Sequence, residues 1–193
     1  MLSTHLIYFG FWVAYYAIHS ILALDQVKSR IPIPPQLYRL LYSLISFLLL
    51  IYVLFAGAVQ PTFYVITPGQ NTKVVALSIT VVGVFIVKRA FRNYSLRSFL
   101  GFKKEDNSTL KTDGIQARMR HPLYTGTVLI VTGFFFFSPS MINLTTLISL
   151  LVYLPIGIWL EEKKLVRHFG QAYIDYREQV PALFPNPFKN RGN

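Results

Sequence analysis

Three groups of residues in this chain have types and spacings that could do chemistry. The most informative is Gly114-Ile115-Gln116-Ala117-Arg118-Met119-Arg120-His121-Pro122-Leu123-Tyr124-Thr125-Gly126. Pro122 suits the first turn of a helix, where a missing N–H costs nothing. The N–H groups that follow would then be free at a helix start, which attracts an anion such as the carboxylate of an amino-acid-like cofactor. Arg120 adds a charge-assisted donor, and Tyr124 offers a ring and a hydroxyl. The same residues would also serve as an interfacial anchor, with Arg, His and Tyr meeting headgroups where a helix enters a membrane.

The second group is Glu161-Glu162-Lys163-Lys164-Leu165-Val166-Arg167-His168-Phe169-Gly170, followed by Tyr173 and Tyr176. Its two carboxylates could bind a cationic amino group or a sulfonium. Alternatively, they pair with the lysines and Arg167 at i,i+3 and i,i+4 along a solvated helix face. The third is His19-Ser20, inside an apolar stretch. An ionisable residue at membrane depth marks a functional site by default, and a neutral His hydrogen-bonded between helices is the competing reading. His5 and Trp12 read as interfacial or core residues. There is no G-x-G-x-x-G after a strand and no Walker loop, so a nucleotide-bearing cofactor would be held by helix ends and loops.

The elements that position these groups follow from composition. Of 193 residues, 53% are hydrophobic and 14% charged, where a soluble domain would carry about a quarter charged. The mean hydropathy is +0.43, and the apolar residues come in long blocks. The bilayer is therefore the expected solvent. The expected fold is an all-α polytopic transmembrane bundle, a single membrane-embedded domain over residues 1–193, with N-terminal spans in 1–92 and a cofactor-binding, catalytic half in 93–193. About five spans can be drawn: Leu6 to Leu24, Leu37 to Val59, Val74 to Val87, Leu123 to Phe137, and Met141 to Trp159. A spanning helix needs roughly 20 apolar residues, so the third and fourth are short. The fourth could instead pair with the fifth as a tight hairpin across Ser138-Pro139-Ser140.

Charge placement gives an orientation. Only Lys73, one of 19 basic residues, falls between the second and third segments, and the Ser138-Pro139-Ser140 link has none. The others flank the opposite ends, which by the positive-inside rule puts the N-terminus outside and the C-terminus in the cytoplasm. All eight acidic residues fall on that cytoplasmic side, so an active site should open there. The net charge of +11 is thus a membrane signature, and no nucleic acid is expected as a partner. Cys is absent, which excludes disulfides, thiolate metal sites and a cysteine nucleophile; no metal is expected. No cleavable signal peptide is expected, since the first apolar stretch lacks a basic leader and a small-residue cleavage site. The oligomeric state is left open.

Together the motifs resemble a known family. Arg120-His121-Pro122-Leu123-Tyr124-x-Gly126, preceded by Leu110-Lys111-Thr112-Asp113-Gly114-Ile115, is similar to the R-H-P-x-Y-x-G motif of the isoprenylcysteine carboxyl methyltransferase and phospholipid methyltransferase family. Glu161-Glu162-x-x-Leu165, Phe169-Gly170-x-x-Tyr173-x-x-Tyr176, Val180-Pro181 and Pro185 resemble its second block. The resemblance covers about Asn93 to Pro185. It implies S-adenosyl-L-methionine as cofactor, with His121, Pro122 and Tyr124 lining its pocket, Glu161 and Glu162 contacting it, and Leu110 and Lys111 in a loop that closes over it. Gln116, also assigned to cofactor binding, stands where family members usually have Tyr. Gly157 stands where the carboxyl methyltransferases carry an Arg that faces the substrate.

His19-Ser20-x-x-Ala23 and Tyr38-Arg39-x-x-Tyr42-Ser43 further resemble the bacterial subgroup that contains methanethiol S-methyltransferase and the NnrU-type membrane proteins. With the Arg missing, this shifts the expected acceptor from a carboxylate to a thiol or another small, lipophilic molecule. The reaction implied is an in-line displacement at a sulfonium methyl group, for which the protein supplies alignment and desolvation. His121, Tyr124 and Arg120 would take the polar catalytic roles, and His19 would be the base for a thiol if helix packing brings it to the pocket. Alternative readings are carboxyl methylation of isoprenylcysteine, N-methylation of a phospholipid, an NADPH-dependent sterol-type reductase with a similar R-H-P-x-Y pattern, and a non-enzymatic membrane accessory protein. The expected location is an integral membrane one, the inner membrane in a bacterium.

Overall fold

In a computed structural model of the protein, which describes residues 2–92, 102 and 109–185, each of the five apolar segments forms the body of a helix. The helices are α1 (Leu2–Ala23), a short α2 (Asp25–Arg30), α3 (Pro35–Ala58), α4 (Gln70–Ala90), α5 (Pro122–Phe137), α6 (Met141–Phe169) and α7 (Gln171–Gln179). Among the described residues there is no extended strand, only the isolated pairing of Tyr64 with Ser140. The fold is all-α, as the composition requires.

The helix starts follow local rules. Pro35 and Pro122 occupy first turns, where their fixed φ is preset for a helix. Thr72 Oγ1 accepts from the Gly69 N–H at 2.9 Å to begin α4. Ser140 Oγ accepts from the Asn143 N–H at 3.3 Å to begin α6. That helix runs ten residues beyond the expected end of its span and carries Glu161 and Glu162 on its last turns. It stops at Gly170, whose φ of +58° is a backbone conformation that suits glycine.

Helices α1, α3 and α6 are long and apolar enough to cross a membrane, and α5 is apolar but only 16 residues long. Their outward faces are lipid-like: Phe47 and Phe55 on α3 are 59% and 65% exposed, which a water-facing surface would not tolerate in such density. Among the described residues, length and composition thus mark three crossing helices where the charge pattern suggested about five. The helices α4 and α5, the short pair at the sequence level, form a closely fitted antiparallel unit.

Small residues explain that fit. Ala76, Gly83 and Ala90 recur every seven residues on one face of α4, opposite Gly126 and Gly133 of α5. A Cβ on Gly126 would lie 2.5 Å from Val87 Cγ2 and 2.8 Å from the Gly83 carbonyl oxygen. On Gly133 it would collide with Thr80 Oγ1. Within a membrane, where apolar burial no longer drives association, such close backbone approach is the main source of helix affinity. The fourth and fifth segments do pack together across Ser138-Pro139-Ser140, as they could, but α5 packs most closely on α4.

In space the long helices lie in the order α3, α1, α6, α5, α4. An aromatic core of Tyr8, Trp12, Val53 and Ile142 joins α1 to its two neighbours, and the Tyr8 hydroxyl hydrogen-bonds Thr146 Oγ1 at 3.1 Å. At one end of the bundle, Asp25 pairs with Lys164 at 3.6 Å and Arg167 at 3.9 Å, so the exits of α1 and α6 lie together. Gly126→Ala is expected to destabilise the bundle by about 1–3 kcal/mol through overpacking. Gly10→Ala, whose added methyl meets nothing within 4 Å, should leave stability unchanged or slightly higher. Denaturant titration in detergent micelles would decide, and equal midpoints for the two variants would refute the close α4–α5 fit.

Candidate functional site

The start of α5 and the end of α6 meet at a single carboxylate. Arg120 donates to Glu162 Oε1 from Nε at 2.9 Å and from Nη2 at 2.6 Å. His121 Nε2 lies 3.1 Å from the same oxygen, and Arg177 Nη1 lies 3.9 Å from Oε2. The remaining guanidinium arm of Arg120 donates from Nη1 to the carbonyls of Arg177 and Val180, both at 2.6 Å. The side chains of Arg120 and Glu162 are 11% and 13% exposed, so their charges are largely shielded from water and depend on each other.

The segment after α7 completes the frame. The backbone N–H groups of Arg120 and His121 donate to the carbonyls of Pro181 and Ala182, each at 2.9 Å. The buried Thr125 hydroxyl donates to the Leu183 carbonyl at 2.8 Å. One turn before α5, the Tyr176 hydroxyl donates to the Gln116 carbonyl at 2.7 Å. A strap of chain from Val180 to Leu183 thereby holds the Arg120-His121-Pro122 corner against α6.

Against this frame stands Glu161, the exposed member of the carboxylate pair. His121 Nδ1 lies 3.5 Å from Glu161 Oε2, and the Glu161 side chain is 46% exposed. The Tyr124 ring stacks on the His121 ring with centroids 5.5 Å apart and reaches toward Glu161. Burial disfavours the charged form of His121, but hydrogen bonds and charge from Glu161 and Glu162 outweigh it and raise its pKa above the ordinary His value.

A second polar cluster lies within the bundle. His19 of α1 hydrogen-bonds the Tyr42 hydroxyl through Nε2 at 3.0 Å and Ser46 Oγ through Nδ1 at 3.2 Å, both on α3. The Ser20 hydroxyl hydrogen-bonds Tyr153 of α6 at 2.8 Å. The two clusters approach each other, since Tyr124 and Tyr16, whose ring stacks on Tyr153, pack against the same Val128, Leu150 and Leu154.

These geometries can be set beside known proteins. The family model for NnrU protein matches residues 7–183. The chain belongs to the NnrU family. It is 35% identical over 112 residues to a methanethiol S-methyltransferase of Crocosphaera subtropica, covering 55% of this chain and 42% of the relative. A methanethiol S-methyltransferase of a Pseudomonas species is 28% identical over 172 residues, covering 83% of this chain and 64% of the relative. A protein-S-isoprenylcysteine O-methyltransferase of Schizosaccharomyces pombe is 33% identical over 93 residues, 47% of this chain and 39% of the relative. The chain therefore spans less than two thirds of the length of each of these relatives. No solved structure matches it.

For this NnrU-family chain, the structure brings Arg120, His121, Pro122, Tyr124, Glu161 and Glu162 to one corner. Gln116 is buried beside them, 1% exposed, while Leu110 and Lys111 are half-buried on the stretch leading in. His19 sits across α1 in the second cluster. Ser46, Thr125 and Tyr153 carry polar contacts that the motif reading did not identify. A signal existed for Ser46, which lies four residues after Tyr42 and so on the same helix face.

The raised pKa of His121 has a definite sign. Because the folded value exceeds the unfolded one, protonated His121 contributes stability that is fully present below about pH 6.5 and is lost as pH rises through the folded value. Glu162→Gln should lower the His121 pKa, measured by NMR titration of the imidazole. Glu162→Ala should cost about 3–5 kcal/mol, because Arg120 is left shielded without its partner. An unchanged His121 titration in Glu162→Gln would contradict the shared carboxylate.

Proposed function

We propose that this integral membrane protein is an S-adenosylmethionine-dependent methyltransferase that acts on a small thiol. The observation that carries the reading is the division between two adjacent carboxylates. Glu162 is engaged by Arg120 and His121, whereas Glu161 is half exposed beside the rings of His121 and Tyr124. A carboxylate flanked by aromatic faces suits a ligand that carries both an ammonium and a sulfonium, so the donor set fits the cofactor. Bound there, S-adenosylmethionine would supply a methyl group already activated on a sulfonium. His121, Pro122 and Tyr124 would line its pocket, Glu161 would meet its cationic end, Gln116 would support the corner, and Leu110 and Lys111 would close over it. Arg120 and Glu162 would hold His121 in place.

The thiol is supported by the relatives named for methanethiol and by Gly157, which offers no counter-charge to a carboxylate. A thiol must lose its proton as its sulfur gains the methyl group, and His19, with Tyr42 and Ser46 around it, is placed for that role in the proposal. Carboxyl methylation of isoprenylcysteine is the nearest rival, favoured by the relative of that name. The site is proposed to open on the cytoplasmic side, with the N-terminus outside and five spans, on the strength of the basic residues at that end.

Calorimetry with S-adenosylmethionine is expected to show binding by the purified protein, lost in Glu161→Ala and His121→Ala. Unchanged affinity in both variants would remove the site assignment, and binding of NADPH in its place would favour a reductase. With labelled cofactor, methyl transfer should be seen to methanethiol and not to prenylcysteine or phosphatidylethanolamine. His19→Gln should lower kcat by about 10²-fold or more with cofactor affinity retained; an unchanged kcat would exclude His19 as base.

A further inference from the structure

Tyr153, on α6, makes contacts to α1 that depend on the residue one turn further along its own helix. Its ring stacks on Tyr16 of α1 with centroids 4.1 Å apart and planes within 6° of parallel. Its hydroxyl hydrogen-bonds Ser20 at 2.8 Å, four residues along the same face of α1. One ring thus bridges two turns of the neighbouring helix. It can lie there because Gly157 carries no side chain: a Cβ at that position would meet Tyr153 Cε1 at 3.0 Å and the phenol oxygen at 3.4 Å.

The place of this ring in the bundle is the junction of α1, α5 and α6. Tyr16 and Tyr124 pack against one cluster of Val128, Leu150 and Leu154, and the last two flank Tyr153 on its own helix. Tyr153 thus lies between Leu150 and Leu154, which carry the contact to Tyr124, and Ser20, the sequence neighbour of His19. The stack on one face and the Ser20 bond at the hydroxyl leave the ring little freedom to turn aside.

We infer that Tyr153 sets the size limit on the methyl acceptor, its fixed ring closing the space beside Tyr124 to all but a short-chain thiol. This deepens the proposed function and rests on it. A molecule that reaches Tyr124 through the seam between α1 and α6 meets this ring. A longer one has to displace it, breaking both the stack on Tyr16 and the bond to Ser20. The polar groups around the seam are the hydroxyls of Ser20, Tyr42, Ser46 and Tyr153 and the imidazole of His19, with no carboxylate or ammonium side chain among them, which suits a small neutral acceptor.

The test uses the full chain in lipid nanodiscs with labelled S-adenosylmethionine and n-alkanethiols from methanethiol to hexanethiol. The wild-type kcat/KM is expected to fall at least about tenfold across the series, and Tyr153→Leu to flatten that fall to within about threefold. Tyr153→Phe, which keeps the ring, should retain the wild-type fall. Cofactor affinity by calorimetry reports whether each variant is folded. If Tyr153→Leu does not fold, Gly157→Ala, whose methyl group pushes against the ring, is read in its place, and it too should flatten the profile. A folded Leu or Ala variant with the wild-type profile overturns the inference alone. So does a Phe variant as flat as the Leu variant, because the hydroxyl rather than the ring would then be responsible. A wild-type protein that binds the cofactor yet methylates none of the series overturns the thiol reading and this inference with it.

Discussion

The Glu162 carboxylate is the point on which the corner depends. One oxygen receives two donors from Arg120 and lies within hydrogen-bonding distance of the His121 ring. Because Arg120 and Glu162 are both largely shielded from water, neither is tolerable without the other, and their pairing fixes the start of α5 against the end of α6. Arg120 also donates to carbonyls at the end of α7 and just beyond it, so the same ion pair ties down the strap from Val180 to Leu183. The imidazole orientation and the stack with Tyr124 follow from this arrangement, which leaves Glu161 half exposed beside His121.

Adjacent residues on a helix point about 100° apart, and that rotation gives Glu161 and Glu162 different environments. The two blocks, Arg120-His121-Pro122 and Glu161-Glu162, are legible in the sequence, as is their pairing about forty residues apart. Which Glu faces inward is not, because it depends on the rotation of α6 set by its packing on α5 and α1. The strap is similarly hidden. Its hydrogen bonds run through the carbonyls of Pro181, Ala182 and Leu183, and a backbone carbonyl leaves no mark in residue type.

Within the apolar blocks, composition separates the roles of residues poorly. Tyr16, Tyr42 and Tyr153 join in a polar cluster, yet Tyr52, in equally apolar sequence, is 57% exposed. The all-α fold and the membrane setting follow from the hydropathy alone. The partnering of α4 with α5 was written in the seven-residue spacing of Ala76, Gly83 and Ala90 and of Gly126 and Gly133, but such a stripe acquires meaning only when its complement is known. The number of crossing helices is where charge pattern and helix character part company, since α5 has only 16 residues and α4, though 21 residues long, is not among the helices both long and apolar enough to cross.

The spatial order α3, α1, α6, α5, α4 bears on how the chain comes to be built. During synthesis α1 emerges well before α6, yet its aromatic face, with Tyr8, Tyr16 and Ser20, is matched by residues of α6. The α4–α5 pair can close as soon as both segments are made, across the chain between Ala90 and Pro122, whereas the polar seam of α1 and α3 is completed only by α6. Arrival of α6 between these two units is then the event that joins them, and the strap beyond α7 can settle only afterwards. Assembly of the bundle and completion of the His121 corner therefore depend on contacts of the same helix, α6, and on long-range contacts rather than on the stability of any one helix.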